Sequence, residues 1–300
     1  MEKKTLLIGA VALVGMLVVI GVISLVVLAY YPYECIAVIK IDGPIATTSS
    51  SGGLFGGGTI GSDDLGKLMK EADSRSDVKA VVFEVNSPGG SVVASREIYE
   101  SIKEIKKPKV AYFREVAASG GYYVSMGTDY IVSNPDAITG SIGVISTSQE
   151  LSGLFEKLGI NETVITSGPH KDMGSEARPL TEEERGIIKG IIQEMYQEFR
   201  GIVVEGRGNR LDMSQFDTMT DGRVVTGRQA YRAGLVDQLG NKQDAINKAA
   251  NMAGMNGEPK VCEINVKSSF MDQLFSGIGQ GIGKVLAPTG MGSGWSFSYK

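Results

Sequence analysis

The sequence predicts an α/β domain built on a largely parallel sheet, carried behind a long apolar N-terminal segment. Three observations lead there. Nearly continuous apolar runs such as VKAVVFEV at residues 78–85 read as strands covered on both faces. Such runs alternate with amphipathic helical patterns, the order that parallel strands joined by crossover helices require. From Thr5 to Tyr33 no residue is charged, which sets that stretch apart from everything after it.

The apolar core of the first segment runs from Leu6 to Ala29. At ~1.5 Å rise per residue it makes a helix roughly 36 Å long, enough for a hydrocarbon core of about 30 Å. A cleaved signal peptide is the competing reading, with Val27-Leu28-Ala29 as its small-residue site. The run exceeds the ~7–15 apolar residues of a signal peptide core, so an uncleaved anchor is expected over residues 1–33. Lys3 and Lys4 precede it and Glu34 follows. The positive-inside tendency then leaves the N-terminus in the cytoplasm and the rest of the chain outside.

Residues 35–41 (CIAVIKI) are rich in β-branched side chains and predict the first strand. The Ser/Gly run over 47–61 predicts a flexible loop long enough to act as a flap, and Ser62 offers an N-cap for a helix to about Ala72. The strand over 78–85 ends at Asn86-Ser87-Pro88-Gly89-Gly90. The next helix shows Ile98, Ile102 and Ile105 on one face, and Pro108 stops it before a strand over 109–113. A helix is expected from about Ala118, strands near 130–133 and 142–147, a helix over 151–158 and a strand over 162–166. Thr181 and Glu184 form a capping box that opens a long amphipathic helix burying Ile187, Ile188, Ile191, Met195, Phe199 and Ile202. Alternation continues to about Val266. In the remainder Phe270, Leu274, Ile278 and Ile282 recur at i, i+4 among many glycines, the pattern of an amphipathic or disordered tail over 267–300.

Composition excludes several functions. The net charge is −4 with the two signs well mixed, so the basic footprint of a nucleic-acid binder is missing. The two cysteines, Cys35 and Cys262, form no C-x-x-C or zinc pattern, and neither a metal nor an organic cofactor is expected. In an extracellular domain they are free to pair; as two thiols at strand positions they are equally well accommodated.

The chemistry concentrates at two strand-to-helix handovers. In Val116-Ala117-Ala118-Ser119-Gly120-Gly121 a serine stands among small residues where a helix begins, so a substrate backbone can approach its hydroxyl. The blander alternative makes Ser119 a simple N-cap. In Asn86-Ser87-Pro88-Gly89-Gly90 two glycines expose backbone N–H groups at the carboxyl end of a buried strand, where open α/β sheets bind ligands. A serine nucleophile needs a base, and the loop over 167–179 holds His170, the only histidine, beside Lys171. A lysine base requires its pKa to fall by roughly 3 units through burial or a neighbouring cation. Spacing alone leaves both residues available.

The runs NSPGG, VAASGGYY, TGSIGV, SGPHKD, DGRVVTGRQA and GLVDQLG, in this order, resemble the SppA-type signal peptide peptidases across roughly residues 36–250. The resemblance implies a ClpP/crotonase-like fold, a protease domain over 34–266 and ring-like homo-oligomers. It implies Ser119 as nucleophile, Lys171 as general base, Gly90 and Gly120 as oxyanion-hole donors and Ser141 as the residue that orients the lysine. The substrates implied are signal peptides and other apolar peptides met at the membrane, with lipid contacted through the N-terminal helix. The alternatives are a stomatin-directed membrane protease of the ClpP class, an acyl-CoA enzyme of the crotonase type, and an inactive scaffold of the same fold. The single anchor and single-copy length match the short form of the family.

Overall fold

The structure is a computed structural model and describes residues 13–23, 33–50, 58–262, 264 and 296–299. Residues 13–23 are helical (α1), with every side chain exposed. Among the described residues no helix is long and apolar enough to cross a membrane; the ends of the expected anchor lie outside them.

The chain then runs through β1 (Cys35–Asp42), β2 (Ile45–Ala46), β3 (Ile60–Gly61), α2 (Ser62–Ser74), β4 (Val78–Ser87), β5 (Gly90–Ser91), α3 (Val92–Glu104), β6 (Lys109–Ala118) and α4 (Gly120–Ser125). β7 (Tyr130–Ser133), β8 (Ile138–Gly140), β9 (Ile145–Thr147), α5 (Ser152–Leu158), α6 (Glu182–Arg207), α7 (Met213–Met219) and β10 (Val224–Thr226) follow. The last elements are α8 (Gly227–Arg232), β11 (Gln238–Leu239), α9 (Lys242–Met252), β12 (Lys260–Cys262) and β13 (Ser296–Tyr299).

The main sheet has the order β10-β8-β6-β4-β1-β12, with β7 also pairing β6 and carrying β11. All its pairs are parallel except β10 with β8. Alternation along β4 divides the interior in two. Val81, Phe83 and Val85 face the larger core, packed with Leu65, Met69, Ile98, Ile102 and Phe199 from α2, α3 and α6. Ala80 and Val82 face the opposite way, onto Ala245, Ile246, Ala249 and Ala250 of α9. Helices therefore cover both faces, which is why the central strands are apolar without interruption. Cys35 and Cys262 pair as a disulfide with Cα atoms 5.7 Å apart, joining β1 to its neighbour β12.

A second, smaller sheet has the order β3-β2-β5-β13-β9. Its last-formed strand, β13, belongs to the segment expected to be a tail; residues 267–295 lie outside the described residues. Ser50 and Thr59 bridge across the expected Ser/Gly flap, whose residues 51–57 are likewise outside them.

Three expectations need correction. The strand expected over 162–166 is irregular and exposed, because no neighbouring strand of this chain offers it a ladder. Ser62 is the first residue of α2 rather than its cap, and its hydroxyl turns instead to Glu97 and to the Thr47 carbonyl. In α6 the buried residues are Glu184, Ile188, Phe199, Val203 and Arg207, while Ile187 is exposed, so the apolar stripe sits off the expected line.

Candidate active site

β4 and β6 lie side by side and both end, at their carboxyl edges, in glycine-rich turns. After β4 the backbone takes positive φ at Gly89 (103°) and Gly90 (158°). A Cβ on Gly90 would lie 2.0 Å from the Ile45 carbonyl oxygen, so only glycine lets this turn lie against β2. After β6 the chain turns sharply at Ser119 and enters α4. Ser119 donates its N–H to the Gly140 carbonyl at 2.8 Å and its own carbonyl accepts from Tyr123 N–H at 2.8 Å.

The two turns meet. A Cβ on Gly120 would sit 3.1 Å from Gly89 Cα and 3.2 Å from Gly90 N, so the Gly90 amide lies against the residue that follows Ser119. α4 cannot drift from this place: Tyr122 and Tyr123 are fully buried, and Tyr122 Oη donates to the Leu235 carbonyl at 2.8 Å. Tyr123 makes edge-to-face contacts with Tyr99 and Phe199, and Tyr122 makes one with Phe113.

Among the described residues, positive φ outside glycine occurs at Ser119 (53°) and Ser141 (51°). Such conformations cost of order 1–3 kcal/mol for an L-residue and persist where the surroundings enforce them, commonly at functional sites. The two serines are neighbours by topology: Ala118 pairs with Gly140 at the ends of β6 and β8, and each serine is the next residue. Ser141 is tied to the far side of its turn by its N–H, which donates to the Arg223 carbonyl at 2.8 Å. Ser119 is completely buried and its Oγ has no hydrogen-bond partner among the described residues. A buried hydroxyl left unpaired costs about 1–3 kcal/mol, and here it stands at the end of a strand beside two turn glycines.

Residues 101–256 match the model of peptidase family S49. The chain belongs to peptidase family S49. Residues 62–136 also match the Clp protease family model, in keeping with the mixed α/β architecture. The Methanocaldococcus jannaschii protease MJ0651 is 38% identical over 226 residues, covering 73% of this chain and 72% of that protein. The Enterococcus faecium protein named signal peptide peptidase SppA is 38% identical over 212 residues, covering 70% of this chain and 61% of its own length. Among solved structures, a mutant of the 1510-N membrane-bound stomatin-specific protease superposes with a TM-score of 0.48 at 15% identity, covering 79% of this chain and all of that one. This S49 peptidase is a serine protease.

Lys171 of the S49 peptidase lies apart from the serine turn. It is exposed, its N–H closes a turn on the Gly168 carbonyl at 3.2 Å, and its amine makes no hydrogen bond or ion pair with a described residue. The fold thus brings Ser119, Gly120, Gly90 and Ser141 together and leaves Lys171 unjoined to them by any hydrogen bond. His170 faces Glu183, 3.6 Å from its Nε2, and its Nδ1 is buried without a partner.

Two features escaped the sequence reading. Arg178 grips Asp172, the residue after Lys171, at 2.7 and 2.8 Å, and Glu184 of the α6 capping box at 2.6 and 2.9 Å. The Arg178 hydrogen bonds, joined by the Thr181 amide, hold the Glu184 carboxyl down to about 2, and Arg178 likewise lowers Asp172. The second is Ser95 of α3, whose buried and unpartnered Oγ would be 2.6 Å from a Cβ on Gly120. Helical periodicity marks Ser95 only as a residue on the inner face of α3, with nothing to single it out.

Proposed function

We propose that this S49 peptidase is a membrane-anchored endopeptidase in which Ser119 and Lys171 form a catalytic dyad, and that it degrades cleaved signal peptides and other apolar peptides beside the membrane. The observation that carries the reading is the enforced positive φ of Ser119, with its Oγ buried and unpartnered where the Gly90 and Gly120 turns meet.

In this reading a neutral Lys171 amine takes the Ser119 proton, and the alkoxide attacks a peptide carbonyl. The carbonyl oxygen gains charge facing the Gly90 and Gly120 amides; removing one such donor typically costs about 2.7–4 kcal/mol. The lysine then protonates the leaving amine and activates the water that resolves the acyl-enzyme. Ser141, next to the nucleophile at the end of β8, orients the amine. The mechanism requires Lys171 to arrive at Ser119 by movement of its loop or from a second copy of the chain. A homo-oligomer suits the second route. Leu154, Leu158, Ile160 and Val164 are all exposed on α5 and the segment after it, and Ile165 is 93% exposed, more apolar surface than one copy covers.

The uncovered apolar α1 supports an anchor over residues 1–33 ahead of a protease domain over 34–266, and the Cys35–Cys262 disulfide suits an extracellular domain. Fluorophosphonate labelling tests the dyad. The full chain and His170→Ala are expected to label, and Ser119→Ala and Lys171→Ala to stay dark. Labelling that survives Lys171→Ala and is lost in His170→Ala refutes it. Carbonate-resistant membrane association that persists without residues 1–33 refutes the anchor.

A further inference from the structure

The second sheet contains a strand from the far end of the chain. β13 lies between β5 and β9 and is antiparallel to both, with Ser298 opposite Ser91 and Tyr299 opposite Gly90 on one side. On the other side Ser296, Phe297 and Ser298 face Thr147, Ser146 and Ile145. Within this sheet β9 has β13 as its partner strand, and β5 is left with β2 alone when β13 is removed. Two short strands of the protease body thus present facing edges whose N–H and C=O groups are completed by four residues of tail backbone.

The location gives the pairing its meaning. Gly90 is both the residue level with Tyr299 and the residue whose amide abuts Gly120 and the Ser119 turn. A strand in this slot therefore runs directly up to the buried serine.

We infer that the strip between β5 and β9 is a binding slot for extended peptide backbone, and that the chain's own C-terminal residues 296–299 occupy it as a competing ligand. The inference rests on the reading of Ser119 and Gly90 as the reactive site. Recognition through main-chain pairing tolerates varied side chains, as a site acting on mixed apolar peptides requires. A tethered ligand acts at an effective concentration on the order of mM. A tail strand whose intrinsic affinity is only about mM then fills the slot roughly half the time, so its removal raises turnover at low substrate by at least about twofold. Residue 296 follows residue 264 by 32 positions, and at up to ~3.3–3.6 Å per residue that length reaches the slot of its own copy or of a neighbour.

The test compares the full chain, a chain ending at Gly294, and full-length Ser298→Pro, in which proline disrupts a strand paired on both sides without shortening the chain. Turnover of an apolar fluorogenic peptide below KM is expected to rise at least about twofold in both variants, with kcat unchanged at saturation. A synthetic peptide of residues 294–300 is expected to raise the KM of the shortened chain. A fluorescent form of that peptide is expected to bind Ser119→Ala in the shortened chain as well, which separates failure of the slot from failure of the nucleophile assignment. Equal turnover in all three proteins, with no binding of the peptide to the shortened chain, overturns the inference.

Discussion

Gly120→Ala is the sharpest probe of the proposed oxyanion geometry, because one added methyl meets three atoms at once. It would lie 2.6 Å from Ser95 Oγ, 3.1 Å from Gly89 Cα and 3.2 Å from Gly90 N. The first contact is far inside van der Waals range, and Ser95 belongs to a helix packed in the core, so its hydroxyl can rotate away while its Cβ stays near. The other two atoms are backbone of the turn that supplies the second donor, and relieving them moves that turn. Overpacking of this kind costs about 1–3 kcal/mol of stability. Displacing one oxyanion donor costs about 2.7–4 kcal/mol of transition-state stabilisation, or roughly 10²–10³ in kcat. The two losses separate in a cycle with Ser95→Gly, which removes the 2.6 Å contact and leaves the backbone contacts in place. The double variant is expected to regain most of the lost Tm and little of the lost kcat. Gly66→Ala on α2 is the control, since its Cβ meets nothing closer than Ser101 Oγ at 3.8 Å. Measured by peptide cleavage and thermal unfolding, full recovery of kcat in the double variant refutes the reasoning, because the donors would then never have moved.

The buried pair Arg207 and Asp237 is joined at 2.8 and 2.9 Å, and Arg207→Ala, which strands that carboxylate, is expected to cost about 3–5 kcal/mol in urea unfolding. The Cys35–Cys262 bridge spans 227 positions, for which chain entropy predicts about 5 kcal/mol and engineered bridges usually deliver about 2–4; reduction is expected to lower the urea midpoint accordingly, and an unmoved midpoint would mean the thiols are not paired. Because the Glu184 and Asp172 carboxyls are depressed by Arg178, their contribution is complete above the ordinary carboxylate range of about 4 and fades only as pH falls toward about 2. Activity losses on acidification through pH 6 therefore belong to other groups, and Arg178→Gln is expected to leave the position of that limb unchanged while lowering kcat. In hydrogen exchange the amides of 117–127 are expected to be protected far longer than those of 150–175; equal protection would contradict the burial pattern.

The central strands are legible in sequence because burial on both faces leaves an unbroken apolar run, as in Val81, Val82, Phe83 and Val85, all fully buried. The capping box at Thr181 and Glu184 is legible because its hydrogen bonds are local, and it is present as expected. The serine and glycine turns are legible as small-residue handovers, although their strain is not: φ at Ser119 and Ser141 is set by the strands they terminate, a tertiary property. The disulfide stays open in sequence because pairing depends on β12 returning beside β1 after a separation of 227 positions. β13 is hidden for the same reason. Its four residues alternate small and aromatic in SFSY, a period-2 signal too short to outweigh the glycines before it, and its partners are more than 140 positions away.

The contrast between the two halves of the site has a physical consequence. Every residue from Ala117 to Gly127 is buried, whereas none from Gly143 to Glu183 is. The proposed nucleophile and donors thus belong to the most tightly packed part of the molecule, where enforced φ values can be sustained by surrounding contacts. Lys171 belongs to a segment whose place depends on the Arg178 ion pairs and a few turn hydrogen bonds, the kind of region that opens at low free energy. A serine hydroxyl without a base is a weak nucleophile. In the proposed dyad a fixed hydroxyl therefore waits on a movable amine, and whatever covers the exposed apolar residues from Leu154 to Ile165 also sets the dielectric around that amine. Burial lowers a lysine pKa toward the range in which it can act as a base, so the same covering surface would complete the geometry and the protonation state together.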